Sequence, residues 1–187
     1  MPDCADCGHT SMSDSAYIES RIAEEVRLRE ACDLDAARRL LLALREHGNH
    51  DHPLVNYHLA WTLDRMGQET EAAPYYERAL EAELEGDNLR GALLGLGSTY
   101  RLIGRDADAV RTLAAGVARF PDGGAMRTFY ALALHSAGEH TRATQEFLRV
   151  ILASSADPQI AHYRTALAEY RENPDELWRD GAWHVRP

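Results

Sequence analysis

One short pattern occurs four times in this chain and limits what it can fold into. Gly67, Gly104 and Gly138 each close a leucine- and alanine-rich run and open a polar turn. An alanine stands five residues further on each time, at Ala72, Ala109 and Ala143. An earlier copy has Cys32 in the glycine place and keeps Ala37, so the copies lie 35, 37 and 34 residues apart. Stronger breakers separate the units: His50-Asp51-His52-Pro53, Gly86-Asp87-Asn88, Pro121-Asp122-Gly123-Gly124 and Ala156-Asp157-Pro158. A unit of this length, with two apolar runs around a tight turn, cannot bury its apolar face alone. It has to stack on the next unit, which predicts a linear array of helix pairs.

The periodicity inside the units is helical. From Ser15 to Tyr170 apolar residues recur at spacings of three and four, the mark of one-faced helices. Leu and Ala dominate while Ile and Val are scarce, which favours helix over strand. No segment alternates cleanly enough to predict a strand. At 187 residues, 45% hydrophobic and 27% charged, the composition is that of a folded soluble chain with a sizeable core. No run approaches the roughly 18 apolar residues of a membrane helix. The first residues lack the apolar stretch of a signal peptide. Three cysteines, an odd number, suit a reducing compartment, so the expectation is a cytoplasmic protein. The net charge of −10 argues against nucleic acid or an anionic membrane as partner. All 20 basic residues are arginines, which excludes chemistry that requires a lysine.

With the repeat and its small residues in view, the chain resembles the tetratricopeptide repeat family, whose pattern is W-x2-L-G-x2-Y, a turn, then A-x3-F and often Pro. The third copy is the nearest, with Leu93 for the Trp, then Leu96-Gly97, Tyr100, Gly104, Ala109, Leu113 and Pro121. The second runs Asn56, Leu59-Ala60, Leu63, Gly67, Ala72, Tyr76, Ala79, and the fourth Tyr130-Ala131, Leu134, Gly138, Ala143, Phe147, Val150. The first is degenerate, with Glu24-Glu25 where Leu-Gly is expected. The resemblance implies an all-α, right-handed α-α superhelix of four helix-turn-helix repeats (18–51, 53–86, 90–121, 124–155). A polar tail, 1–14, precedes it. A capping helix over 157–171 opens at Asp157-Pro158, and a tryptophan-containing tail, 173–187, follows. The cap's Ile160, Tyr163, Leu167 and Tyr170 are expected to cover the fourth repeat.

In this family the first helix of each pair lines a groove that takes an extended peptide or a partner's helix. The helical period then assigns groove residues: Val26 and Arg29 from the first repeat; Tyr57, His58, Trp61 and Arg65, with Asp64, from the second; Leu94, Ser98 and Arg101 from the third; Thr128, Leu132 and His135 from the fourth. Aromatics and arginines are the residue types that dominate interface energetics. The family's carboxylate clamp is not matched, because Ile22, Val26, His58, Gly91 and Gly95 hold its places. The reading is therefore a non-catalytic scaffold for a protein or peptide ligand, without a cofactor and with the oligomeric state open.

Two alternatives remain. One is a self-assembling module using the Trp178/Trp183 tail. The other is a zinc protein using Cys4, Cys7 and His9, completed by Cys32 or by His47, His50 and His52. Neither an H-E-x-x-H motif nor a G-x-S-x-G elbow is present. Gly91, Gly95 and Gly97 lie inside a predicted helix with no strand before them, so they read as close-packing positions rather than a dinucleotide loop. Paired glutamates such as Glu24-Glu25 read as solvated helix faces.

Overall fold

The computed structural model describes residues 14–179 and 182–185. Cys4, Cys7 and His9 lie outside the described residues. Eight helices form four antiparallel pairs: α1 (Asp14–Glu30) with α2 (Leu34–Leu44), α3 (Pro53–Arg65) with α4 (Glu69–Glu81), α5 (Gly86–Leu102) with α6 (Asp106–Arg119), and α7 (Gly124–Ser136) with α8 (His140–Ser154). Each pair packs on the next, and the first helices touch in the order α1, α3, α5, α7. This is the helical solenoid the repeat predicts.

The recurring turn is one structure made four times. Cys32, Gly67, Gly104 and Gly138 all adopt left-handed backbone, with φ of 61°, 72°, 77° and 81°. In every copy the next residue's N–H reaches back five residues to a carbonyl: Asp33 to Leu28, Gln68 to Leu63, Arg105 to Tyr100 and Glu139 to Leu134, at 2.8–3.0 Å. The turn residue's own N–H bonds three residues back, which completes a Schellman cap. Glycine has no Cβ to clash in this conformation; Cys32 adopts it with one.

The small residues sit where the helices cross. Ala37, Ala72 and Ala109 are fully buried, and Ala60 and Ala131 are likewise at 0% exposure. At Gly97 a Cβ would lie 2.3 Å from Leu113 Cγ, so α5 and α6 can approach this closely only over a glycine. Leu41, Leu59, Leu63, Tyr76, Leu113, Met126 and Leu134 fill the space around these crossings.

The C-terminal end departs from expectation in two ways. The cap is two helices, α9 (Pro158–His162) and α10 (Arg164–Glu172), not one. Asp157 does accept from the Gln159 N–H at 2.8 Å, with Pro158 in the first turn. The helix then breaks at Tyr163, and Tyr163 and Tyr170 are 61% and 53% exposed instead of covering the fourth repeat. Ile160 and Leu167 stay half-buried, and α10 packs on α8. Beyond it lies a two-stranded antiparallel hairpin, β1 (Glu176–Arg179) and β2 (Ala182–Val185), with Trp178 and Trp183 opposite each other in register. The sequence carries Asp180-Gly181 between these strands, the strongest short hairpin signal, and the helical periodicity upstream masks it.

Candidate functional groove

A cavity of about 500 Å³ opens between the first helices of the second and third repeats and reaches Phe129 of the fourth. Tyr57, Trp61 and Arg65 follow one another at four-residue spacing on α3, and Leu94, Ser98 and Leu102 do the same on α5. Five of these six are predicted groove residues. Leu102 and Phe129 are not predicted, although Leu102 continues the spacing of Leu94 and Ser98 and is 57% exposed. Gly91 and Gly95 complete the α5 side. A Cβ at Gly91 would meet Tyr57 Oη at 2.1 Å, and one at Gly95 would meet Tyr76 Cζ at 2.5 Å. The glycine pair thus lets two tyrosine rings from the preceding repeat approach α5 closely, which shapes the cavity wall.

The remaining predicted groove residues lie off this cavity. Val26 and Leu132 are half-buried. Arg101 is half-buried, and its Nε has no hydrogen-bond partner. Thr128 donates to the Gly124 carbonyl at 2.8 Å within its own helix. His135 faces His140 across the turn, with their Nδ1 atoms 3.2 Å apart.

Arg29 and His58 are turned inward, contrary to the groove assignment. They are 4% and 6% exposed and are held by Glu25, which is fully buried. Glu25 Oε1 accepts from Arg29 Nε at 2.9 Å and from Thr62 Oγ1 at 3.0 Å, and Oε2 lies 2.7 Å from His58 Nδ1. Glu25 is thus no part of a solvated face; it joins α1 to α3 as a buried ionic network. Glu24 keeps the surface role, paired with Arg21. Burial alone would push the Glu25 carboxyl up. The hydrogen bonds and positive charge of His58 and Arg29 outweigh that and hold it below its ordinary value. Arg29 also lies over the Trp61 ring at 3.6 Å, and Tyr57 stacks on the same indole with centroids 5.7 Å apart. Trp61 is therefore braced from the interior and 37% exposed to the groove.

A second carboxylate sits at the floor. Asp64 Oδ2 accepts from Tyr76 Oη at 2.8 Å, and Thr99 Oγ1 donates to Oδ1 at 2.9 Å and to Oδ2 at 3.1 Å. Burial lifts its carboxyl above the usual range; the two hydroxyls only partly offset this, and nearby Glu69 adds to the rise. The same cause raises the Tyr76 phenol, which is buried against Asp64.

The histidines proposed as metal ligands do not converge. His47 Nδ1 contacts the Ala43 carbonyl at 2.6 Å and His50 Nδ1 contacts Asp51 at 3.0 Å, while His52 Nδ1 is buried with no hydrogen-bond partner among the described residues. Among the described residues no three His, Cys, Asp or Glu side chains gather into a metal-binding group. No described helix is long and apolar enough to cross a membrane.

Comparison with known proteins agrees with the architecture. A family model, Tetratrico peptide repeat, matches residues 53–173, well over half of the chain. Two similar solved structures are MamA 41-end from Desulfovibrio magneticus RS-1 and the MamA RS-1 ArsTM double mutant. The first shares 18% identity at a TM-score of 0.58, and the second 17% at 0.59. Each alignment covers 88% of this chain and 99% of the other, and at such identity the likeness is one of fold. No curated protein sequence matches.

Proposed function

The chain belongs to the tetratricopeptide repeat family, and from that premise we propose that it is a non-catalytic scaffold that binds a segment of another protein along the groove between α3, α5 and α7. One observation supports this reading above the rest: a cavity large enough for side chains, walled by Trp61, Leu94, Leu102 and Phe129, where most other apolar side chains among the described residues are packed away. An apolar patch of this kind, rimmed by charge, is the usual signature of a partner surface. Partner side chains would be buried against Leu94, Leu102 and Phe129, with the braced edge of Trp61 as one wall. Arg65 at the rim would orient polar groups.

The test is selection of peptides from a randomised nine-residue library on the wild-type protein, followed by binding titrations on Leu102→Glu and Trp61→Arg. Leu102 is exposed enough for its substitution to leave the fold intact. Loss of binding on Leu102→Glu with an unchanged melting curve is the expected result. Peptides that bind both variants as well as wild type would remove the groove from consideration.

A further inference from the structure

The groove floor holds a carboxylate, Asp64, that no arginine or histidine pairs with among the described residues. Among the described residues, the fully buried carboxylate Glu25 is matched by Arg29 and His58, and half-buried Glu146 by Arg127 and Arg149. Asp64 has, among the described residues, only the neutral hydroxyls of Tyr76 and Thr99. Those hydroxyls come from α4 and α5, so two helices besides its own fix the carboxylate in place. They leave acceptor capacity, since Oδ1 receives one hydrogen bond and an ionised carboxylate oxygen takes about two. The charges around the same cavity are Glu69, Asp87, Arg65 and Arg90. Arg90 is committed to Asp87 at 3.0 Å and to the Phe120 ring, and Arg65 is exposed at the rim. Glu69 adds to the negative potential at Asp64. The floor is therefore a preorganised negative site inside an apolar wall, in a chain of net charge −10.

Such a site gains most from a cation delivered with its own apolar neighbour. The partly desolvated anion strengthens a charge-assisted hydrogen bond, and the approaching ligand excludes the remaining water. An acidic or purely apolar segment would instead deepen the desolvation of an unpaired charge.

We infer that Asp64 is the specificity-determining residue of the groove, and that it selects partner segments in which an arginine or lysine lies beside an apolar side chain. This rests on the groove being the binding face, as proposed above. The basic group hydrogen-bonds Asp64 at the floor, while its neighbour packs on Leu102 and Phe129.

The experiment extends the same peptide selection. Enriched peptides are resynthesised with each Arg replaced by citrulline, or each Lys by norleucine, and titrated on wild type and on Asp64→Asn. The expected result is enrichment of a basic residue next to an apolar one. The neutral replacement should weaken binding at least tenfold on wild type and have little effect on Asp64→Asn. The neutral-peptide comparison needs only wild-type protein and so stands even if Asp64→Asn folds poorly. Peptides without a basic residue whose binding is lost on Leu102→Glu would overturn this inference and leave the groove reading intact. Binding indifferent to both Leu102→Glu and Asp64→Asn would overturn the two together.

Discussion

Replacement of Glu25 by leucine is the most direct test of the ionic network between the first two repeats. The carboxylate is fully buried and takes hydrogen bonds from Arg29, Thr62 and His58 at 2.7–3.0 Å. Glu25→Leu leaves the Arg29 guanidinium, itself 4% exposed, without an anion. Breaking a buried pair from one side costs about 3–5 kcal/mol, because the uncompensated charge dominates. At this chain length that corresponds to a loss of about 10 °C in Tm. Replacing all three ionisable groups by apolar residues of similar size removes the orphaned charge. The triple variant Glu25→Leu, Arg29→Met, His58→Leu is therefore expected to lie within about 2 kcal/mol of wild type. Urea denaturation followed by circular dichroism gives the free energies. Hydrogen exchange in α1 and α3 shows whether the loss is confined to the first interface, as expected for an array with nearest-neighbour contacts. A single variant within 1 kcal/mol of wild type would refute the reasoning, as would a triple variant no more stable than the single.

Further outcomes follow from the same geometry. The folded-state pKa of Glu25 is lowered from the ordinary 4.5, so its contribution is complete above that value and is lost as pH falls through the folded pKa. Melting curves below pH 4.5 should accordingly fall more steeply for wild type than for Glu25→Gln. Gly97→Ala places a Cβ 2.3 Å from buried Leu113 Cγ, and overpacking of about 1–3 kcal/mol should outweigh the gain in helix propensity. Gly124→Ala has open space and no left-handed φ, so it should stabilise by up to about 1 kcal/mol, and thermal melts of the two variants read opposite signs. Cys32→Gly relieves a side chain at φ 61° and should raise stability by about 0.5–1 kcal/mol in urea titrations.

The repeat itself was legible because turn geometry and helix crossing are local demands. A left-handed cap calls for glycine, and a close crossing calls for glycine or alanine, so both leave a mark at fixed offsets. Part of the cavity wall was legible too: once the family resemblance puts the first helix of each pair on the groove, the helical period yields Tyr57, Trp61, Arg65, Leu94 and Ser98. Arg29 and His58 were misplaced because burial of a charge depends on a partner far along the chain. Glu25 meets His58 and Thr62 at separations of 33 and 37 residues. No helical wheel of α1 reports that. Leu102 and Phe129 were missed because the period places a residue on a side of its helix but does not say which neighbouring repeats leave that side open. The hairpin at 176–185 is so short that its Asp-Gly signal is outweighed by the surrounding helical pattern.

The two threonines that hold the carboxylates stand 37 residues apart, the same spacing as the turns of their repeats. Each occupies the same place in its unit, and each reaches back to an acid on the unit before. Near-copies can assemble out of order, or borrow a unit from a neighbouring chain, when their apolar faces are interchangeable. Here the acids make them distinguishable. Glu25 requires a histidine and a threonine four residues apart on a first helix, which among the four first helices only α3 supplies, and Asp64 requires the hydroxyls of Tyr76 and Thr99. An error at either of the first two junctions would strand a desolvated carboxylate. The polar contacts thus serve as an address code for the first three units, while leucine and alanine supply the adhesion.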